Sequence, residues 1–205
     1  MTKGRWMANA ITIPLRFLIS LNTLFLRIGR NIAWVALALM VVVILVQVFF
    51  RYVLNSALPW PDEAARFLML WMTGLMAPLA YRHGGFVAIE MAIHGLPEKL
   101  GRLLALALFA IGLVVVTVGI SFGWDHSMGF GGNFDSSSLK IPLDLIGLES
   151  IRLKLRYMYL SLFVCMVLLF LVSLELILRL IVDQIWPGLL PPLKEDEALQ
   201  QAEAS

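Results

Sequence analysis

Residues 32–50 read IAWVALALMVVVILVQVFF, a run without charge in which Gln47 is the one polar side chain. As an α-helix this run is about 28 Å long, close to the thickness of the hydrocarbon core of a bilayer, and it predicts a transmembrane helix. The composition agrees, because 60% of the 205 residues are hydrophobic, 15% are charged and the mean hydropathy is +0.86. Such a composition excludes a soluble globular domain, a disordered chain and a nucleic-acid-binding protein.

Three further stretches predict membrane spans. They cover about residues 62–81, 103–122 and 157–178. In the second, the apolar run extends only from Phe67 to Tyr81, so this span reaches full length only by including part of Trp60 to Arg66. Because backbone groups in lipid must be paired within the segment, each span is expected to be helical. We therefore expect an all-α integral membrane protein whose four transmembrane helices occupy residues 32–180.

Two segments outside the spans have apolar residues at helical spacing. In residues 1–31 this stripe consists of Leu18, Leu21, Phe25 and Ile28. With its interspersed arginines it predicts an amphipathic helix in the membrane interface, although a cytoplasmic extension of the first span fits equally well. Residues 86–96 predict a second interfacial helix between spans two and three, and Gly95 and Pro97 predict its end. Residues 181–205 are expected to form a solvated cytoplasmic tail.

The placement of lysine and arginine predicts the orientation. With four spans, the N-terminal segment, the loop between spans two and three and the tail lie on one side of the membrane. That side holds ten of the 16 basic residues, namely Lys3, Arg5, Arg16, Arg27, Arg30, Arg82, Lys99, Arg102, Arg179 and Lys194. We therefore expect both termini in the cytoplasm, although Arg152, Lys154 and Arg156 on the other side oppose this orientation.

The densest polar sequence is Arg51 followed by Trp60-Pro61-Asp62-Glu63-Ala64-Ala65-Arg66. Pro61 suits the first turn of a helix, and Asp62 and Glu63 suit its positive N-terminal end. Arg66 lies four residues after Asp62 and three after Glu63, so ion pairs along the helix are expected. Two interpretations stay open: a well-capped helix start with Trp60 as an interfacial anchor, or a functional site whose charges near the membrane need a partner.

The same region resembles a known family. The run from Gln47 to Asn55, QVFFRYVLN, resembles the end of the first span in the small integral-membrane (DctQ-type) subunit of tripartite ATP-independent periplasmic (TRAP) transporters. Trp60 to Arg66 resembles that family's tryptophan, hydroxyl residue, two acids, two small or apolar residues and arginine, with Pro61 in place of the hydroxyl residue. Trp71 falls where the family has a tryptophan in span two, and Arg82 to Met91 resembles its next segment.

The resemblance implies an accessory role in a bacterial inner membrane. In this family a separate large membrane subunit carries the sodium and substrate sites, and a soluble periplasmic binding protein delivers organic anions. This chain would then be a non-catalytic scaffold in a stable heterodimer with the large subunit, and the binding protein would meet it transiently. The residues that would contact other helices or the large subunit are Arg51, Trp60, Asp62, Glu63, Arg66 and Trp71.

A self-sufficient proton-coupled exporter is the alternative to an accessory subunit. Its coupling carboxylate would be Glu63 or Glu175, and each lies at a span end with an arginine within pairing reach. A membrane enzyme would need converging polar groups, which the sequence does not show. No cofactor or metal site is predicted, because the histidines lack ligand spacing and Cys165 is the single cysteine. The Gly119-x-x-x-Gly123 match is interpreted as a chance occurrence.

Overall fold

Four long helices dominate the computed structural model, which describes residues 3–93, 97–141 and 151–185. In chain order the elements are α1 (Lys3–Tyr52), α2 (Pro61–Ile93), α3 (Glu98–Met128), a 3₁₀ turn (Phe130–Asn133), β1 (Asp135–Ile141), β2 (Ile151–Lys154) and α4 (Arg156–Ile185). The predominantly helical fold agrees with the prediction of an all-α membrane protein.

Three of the four helices contain a segment long and apolar enough to cross a membrane. These segments are Ile13–Tyr52, Leu103–Met128 and Arg156–Val182, and they include the predicted spans 32–50, 103–122 and 157–178. Helix α2 is not among them, because Arg66 and Arg82 flank its apolar run. The second predicted span is therefore a helix in the structure, and its passage through the membrane stays a prediction.

Helix α1 continues without interruption across residue 31, where the sequence predicted a boundary between an interfacial segment and the first span. Its 50 residues correspond to about 75 Å of helix. Pro14 lies in its interior. Nothing between Arg16 and Arg30 breaks the helix, because arginine and leucine are both good helix formers.

The buried face of α1 is a narrow seam. Leu15, Leu26 and Ala33 are buried, whereas Phe25 and Ile28 of the predicted amphipathic stripe are exposed in the chain by itself. The apolar segment of α1 is buried to a smaller share than that of α4, 11% against 33%. Most of the apolar surface of α1 is thus available to lipid or to another protein.

The predicted interfacial helix at residues 86–96 is a continuation of α2 as far as Ile93. Helix α3 begins at Glu98, directly after Pro97, as the sequence predicted for this break. The predicted Gly95 position lies outside the described residues, as does most of the predicted tail, residues 186–205. At the other end of α2, the connection from α1 includes Asn55 with φ +50°, a left-handed conformation that asparagine tolerates.

The described residues pack as two compact units. The first takes its residues from Met1–Phe25, Pro78–Val116 and Leu168–Ser205. Its core consists of Leu15, Ala105, Phe109, Val172, Leu176 and Val182. A part of every helix therefore belongs to this unit, as in a four-helix bundle.

The second unit comprises Leu26–Ala77 and Thr117–Val167, and glycines bring its helices close together. A Cβ on Gly74 of α2 would lie 2.8 Å from the carbonyl oxygen of Ser161 on α4. On α3, a Cβ on Gly123 would lie 3.2 Å from Cα of Phe163, and one on Gly119 would meet Met166 at 2.9 Å. The interpretation of Gly119 and Gly123 as a chance motif was therefore wrong, because both face α4, where small residues allow close approach.

A short hairpin in the second unit was not predicted. Strands β1 and β2 pair antiparallel, with Asp135 opposite Lys154 and Ile141 opposite Ile151, and an irregularity lies between these pairs. Its signal in the sequence is weak, because three consecutive serines follow the first residue of β1 and only four residues make up β2. This hairpin is the element that completes the candidate site at the start of α2.

Candidate functional site

Helix α2 begins where its sequence predicts. Pro61 is its first residue and is buried, and the carbonyl oxygen of Trp60 accepts a hydrogen bond from the amide of Ala64 at 3.0 Å. Proline suits this position because its missing N–H would have no partner in the helix. The Trp60 side chain is 39% exposed, which agrees with a surface anchor.

Glu63 binds the hairpin through the serines of β1. Oγ of Ser136 donates to Glu63 Oε1 at 2.6 Å, and both the amide and the hydroxyl of Ser138 donate to Oε2, the amide at 2.9 Å. Ser137 adds a longer hydrogen bond to Oε2 at 3.4 Å. The amide of Leu139 in turn donates to Ser136 Oγ at 2.8 Å and fixes this hydroxyl. The carboxylate thus fastens the first turn of α2 to the hairpin.

These contacts set the electrostatics of Glu63. Burial raises the pKa of Glu63, but the hydrogen bonds from Ser136 and Ser138 outweigh this effect and lower it below its ordinary value. Since open sheet edges do not occur in the hydrocarbon core, the hairpin and the turn of α2 that it contacts lie outside that core. The apolar part of α2 then begins after Arg66.

The other predicted site residues do not form the expected ion pairs. Among the described residues, Asp62 and Arg66 are both exposed, and Arg66 is joined to neither Asp62 nor Glu63. Arg51 is exposed and lies 5.8 Å from the ring centre of Tyr52, at cation–π distance. Glu63 instead binds the hydroxyl and amide donors of β1.

Trp71 contacts another helix of the same chain. Its indole Nε1 donates to the carbonyl oxygen of Tyr157 at 3.0 Å. Tyr157 lies in the first turn of α4, so this bond and the close approach of Gly74 to Ser161 place α2 directly beside α4.

A second polar cluster lies in the core of the first unit, centred on Glu175 of α4. Glu175 is fully buried, and its Oε1 accepts from Arg82 Nη2 at 2.7 Å, Arg82 Nε at 3.2 Å and Arg179 Nε at 3.0 Å. Its Oε2 accepts from Asn22 Nδ2 at 2.7 Å, and Arg82 Nη1 also donates to Thr23 at 3.0 Å. The cluster thus connects α1, α2 and α4.

The chemistry of this cluster is that of a structural ion pair. Four N–H groups of Asn22, Arg82 and Arg179 converge on Glu175, whose carboxyl oxygens accept all four hydrogen bonds. A buried carboxylate needs this number of partners, because removing it from water is costly. The sequence predicted the Glu175–Arg179 pair at a span end, and the structure adds Arg82 and Asn22.

Sequence reasoning missed the long-range partners of both carboxylates. Asn22 is separated from Glu175 by 153 residues, and Ser136 is separated from Glu63 by 73 residues. A signal for Asn22 exists, because it lies on the same helical face as Leu15 and Leu26, where a polar side chain needs a buried partner. In the part of the chain that the structure describes, no group of three or more His, Cys, Asp or Glu residues is arranged to hold a metal ion.

Comparison with known proteins gives two matches. A segment of 61 residues, 30% of this chain, is 33% identical to the “Putative TRAP transporter small permease protein” of Haemophilus influenzae. That segment spans 38% of the length of the relative. Residues 40–183, which include the start of α2, the hairpin and Glu175, match the family described as “Tripartite ATP-independent periplasmic transporters, DctQ component”. The chain therefore belongs to the DctQ component family of the TRAP transporters.

Proposed function

We propose that this chain is the non-catalytic membrane scaffold of its transporter, holding a large permease subunit that performs sodium-coupled uptake of an organic acid. A soluble periplasmic binding protein would deliver the acid to the pair. Membership of the DctQ family supports a small TRAP transporter subunit. The coupling ion, the substrate class and the scaffolding role are the parts that the proposal adds.

One observation supports the scaffold proposal most directly. Glu63 and Glu175, the two carboxylates that could couple transport to protons, are both engaged in contacts between elements of the chain. Glu175 is fully buried and receives two arginines, and Glu63 receives the serines of β1. A coupling carboxylate must release and rebind a proton during each cycle, which would break these contacts. Both groups therefore favour a static structure over a proton-coupled exporter.

Proteoliposomes with the chain alone test this choice. An imposed pH gradient is expected to drive no flux of an organic acid in either direction, because neither Glu63 nor Glu175 is free to cycle. Flux that depends on the pH gradient and is abolished by Glu175→Gln or Glu63→Gln would support the exporter and contradict the scaffold.

Association with the large subunit tests the role of the exposed charges near the start of α2. Arg51 and Arg66 are exposed, and charges so close to the membrane boundary are expected to find partners in an assembled complex. We expect Arg51→Gln/Arg66→Gln to weaken co-purification of the large subunit by about tenfold, the order of two exposed or partly buried ion pairs. The matched control is Arg152→Gln on the hairpin, which is expected to leave co-purification unchanged. If the large subunit co-purifies equally well with all variants, Arg51 and Arg66 do not contribute to its binding.

The orientation belongs to the same proposal, with both termini in the cytoplasm and the hairpin in the periplasm. Ten of the 16 basic residues lie on the proposed cytoplasmic side, as counted for four spans. A cytoplasm-active fluorescent reporter fused after Ser205 is expected to fluoresce, and a periplasm-active phosphatase fused there is expected to be inactive. The reverse pattern would mean three spans or the opposite orientation.

A further inference from the structure

An apolar cavity of about 90 Å³ lies between α1 and α2 in the second unit, lined by Ala33, Trp34, Leu37, Met72 and Met76. The cavity is open to the surface of the helix pair, and Trp34 in its lining is 63% exposed. Its lining offers no hydrogen-bond partners to water, so it favours apolar guests. The two methionines add flexible side chains that adapt to the shape of a guest.

Two arginines lie on the same face of α1 as this cavity. Arg27, Arg30, Trp34 and Leu37 follow one another at spacings of three, four and three residues, which places them along one stripe of the helix. Both arginines are exposed, and neither contacts a carboxylate within the described ranges 3–93, 97–141 and 151–185. The stripe thus passes from two guanidinium groups to an indole ring and then to an apolar cavity.

The depth of this stripe follows from the length of the uncharged run. Arg30 and Arg51 bracket residues 32–50 and are 21 residues apart, about 31 Å along the helix, which matches the hydrocarbon core of a bilayer. Arg27 and Arg30 therefore lie at the level of the lipid headgroups. Ala33 to Leu37 lie one to two turns further in, at the level of the first acyl carbons.

We propose that this stripe is a binding site for one anionic phospholipid. Its phosphate pairs with Arg27 and Arg30, and one acyl chain follows Trp34 into the cavity between α1 and α2. Guanidinium groups bind phosphate through parallel charge-assisted hydrogen bonds, and anionic lipids are abundant at such basic segments. The charge at headgroup depth favours a lipid over a helix of another protein, which would need an acidic residue at the same level.

Photochemical labelling tests the site in the full chain reconstituted in bilayers. The probe is phosphatidylglycerol with a diazirine in its acyl chain, and the matched probe is phosphatidylcholine with the same chain. We expect the anionic probe to label residues 33–37 and 72–76 about thirtyfold more than the zwitterionic probe, the order expected for two arginines beside an anionic headgroup. Mass spectrometry of the peptides locates the label.

Two pairs of variants distinguish the contribution of the headgroup from that of the cavity. Arg27→Gln/Arg30→Gln is expected to abolish the preference for the anionic probe, whereas Arg51→Gln/Arg66→Gln removes the same charge and is expected to keep it. Leu37→Phe fills the cavity and is expected to reduce labelling, whereas Leu39→Phe places the same ring on an exposed position of α1 and is expected to have no effect.

Each of three results would overturn the lipid site. The first is equal labelling of residues 33–37 by both probes, and the second is a preference that survives Arg27→Gln/Arg30→Gln. The third is labelling by the anionic probe that disappears when the large subunit is bound and is replaced by crosslinks to that subunit, which would assign the cavity to a protein helix. Circular dichroism of each variant confirms that the helices are intact before labelling is compared.

Discussion

Glu175 and Glu63 show how single carboxylates hold this membrane protein together. Glu175 is the most deeply buried charged side chain that the structure describes, and it links three helices through Asn22, Arg82 and Arg179. Glu63 is nearer to water and joins α2 to the hairpin. Glu175 therefore connects three helices at one point, and Glu63 connects a helix to a strand.

Glu175→Gln is expected to lower the free energy of unfolding by about 3–5 kcal/mol, because it leaves two buried guanidinium groups without their counter-charge. Thermal or denaturant unfolding in detergent measures the loss, with the exposed Asp125→Asn as control. Arg82→Gln/Glu175→Gln is expected to lose less than the sum of the single variants, since it removes both charges of one pair. A Glu175→Gln protein as stable as the control would show that the cluster is not structural.

Glu63→Gln is expected to loosen the hairpin and to cost about 1–3 kcal/mol, the range for hydrogen bonds to a charged group. Asp62→Asn is the matched control, because Asp62 is the adjacent exposed acid. The difference between wild type and Glu63→Gln also depends on pH. Since the pKa of Glu63 is lowered in the folded chain, its contribution is full above the ordinary value of 4.5 and is lost as the pH falls through the folded value.

Unfolding measured from pH 7 to pH 3 therefore gives a wild-type advantage that shrinks below about pH 4.5. An advantage that stayed constant down to pH 3, or that grew, would mean that Glu63 is not held as a carboxylate by the serines of β1.

At the scale of the elements, local sequence patterns were sufficient to predict the helices but not the contacts between them. The apolar runs predicted the three candidate spans, and Pro61 predicted the start of α2. The hairpin was missed because β2 has only four residues and the register between the two strands is irregular. The partners of Glu63 were missed for the same reason, since their contact depends on how the hairpin folds back and not on spacing along α2.

Glycine packing against α4 gives a prediction for α2. Gly74→Ala is expected to lower the free energy of unfolding by about 1–3 kcal/mol, because its Cβ would lie 2.8 Å from the Ser161 carbonyl oxygen and the helices must separate. Gly84→Ala on the same helix is the control, since no atom lies within 4 Å of its Cβ. Alanine at residue 84 is expected to be neutral or stabilising, because it favours helix more than glycine does. Equal effects of the two substitutions would show that α2 and α4 do not pack closely.

At the scale of the whole molecule, the contacts fit the scaffold role proposed above for this member of the DctQ family. The charged groups of the core hold helices in fixed positions, whereas wide apolar surfaces on α1 and α3 remain exposed in the chain by itself. A scaffold has these properties, since it needs rigid helices and a surface for its partner. We expect the large subunit to raise the melting temperature of this chain, because a partner that binds only the folded state stabilises it.

The most direct test of the scaffold proposal is uptake of a labelled organic acid by proteoliposomes under an inward sodium gradient, with one component omitted at a time. The components are this chain, the large permease subunit and the periplasmic binding protein. The account predicts uptake only when all three are present, and none with this chain alone. Uptake by this chain alone, or an unchanged rate with the large subunit and binding protein after this chain is left out, would contradict it.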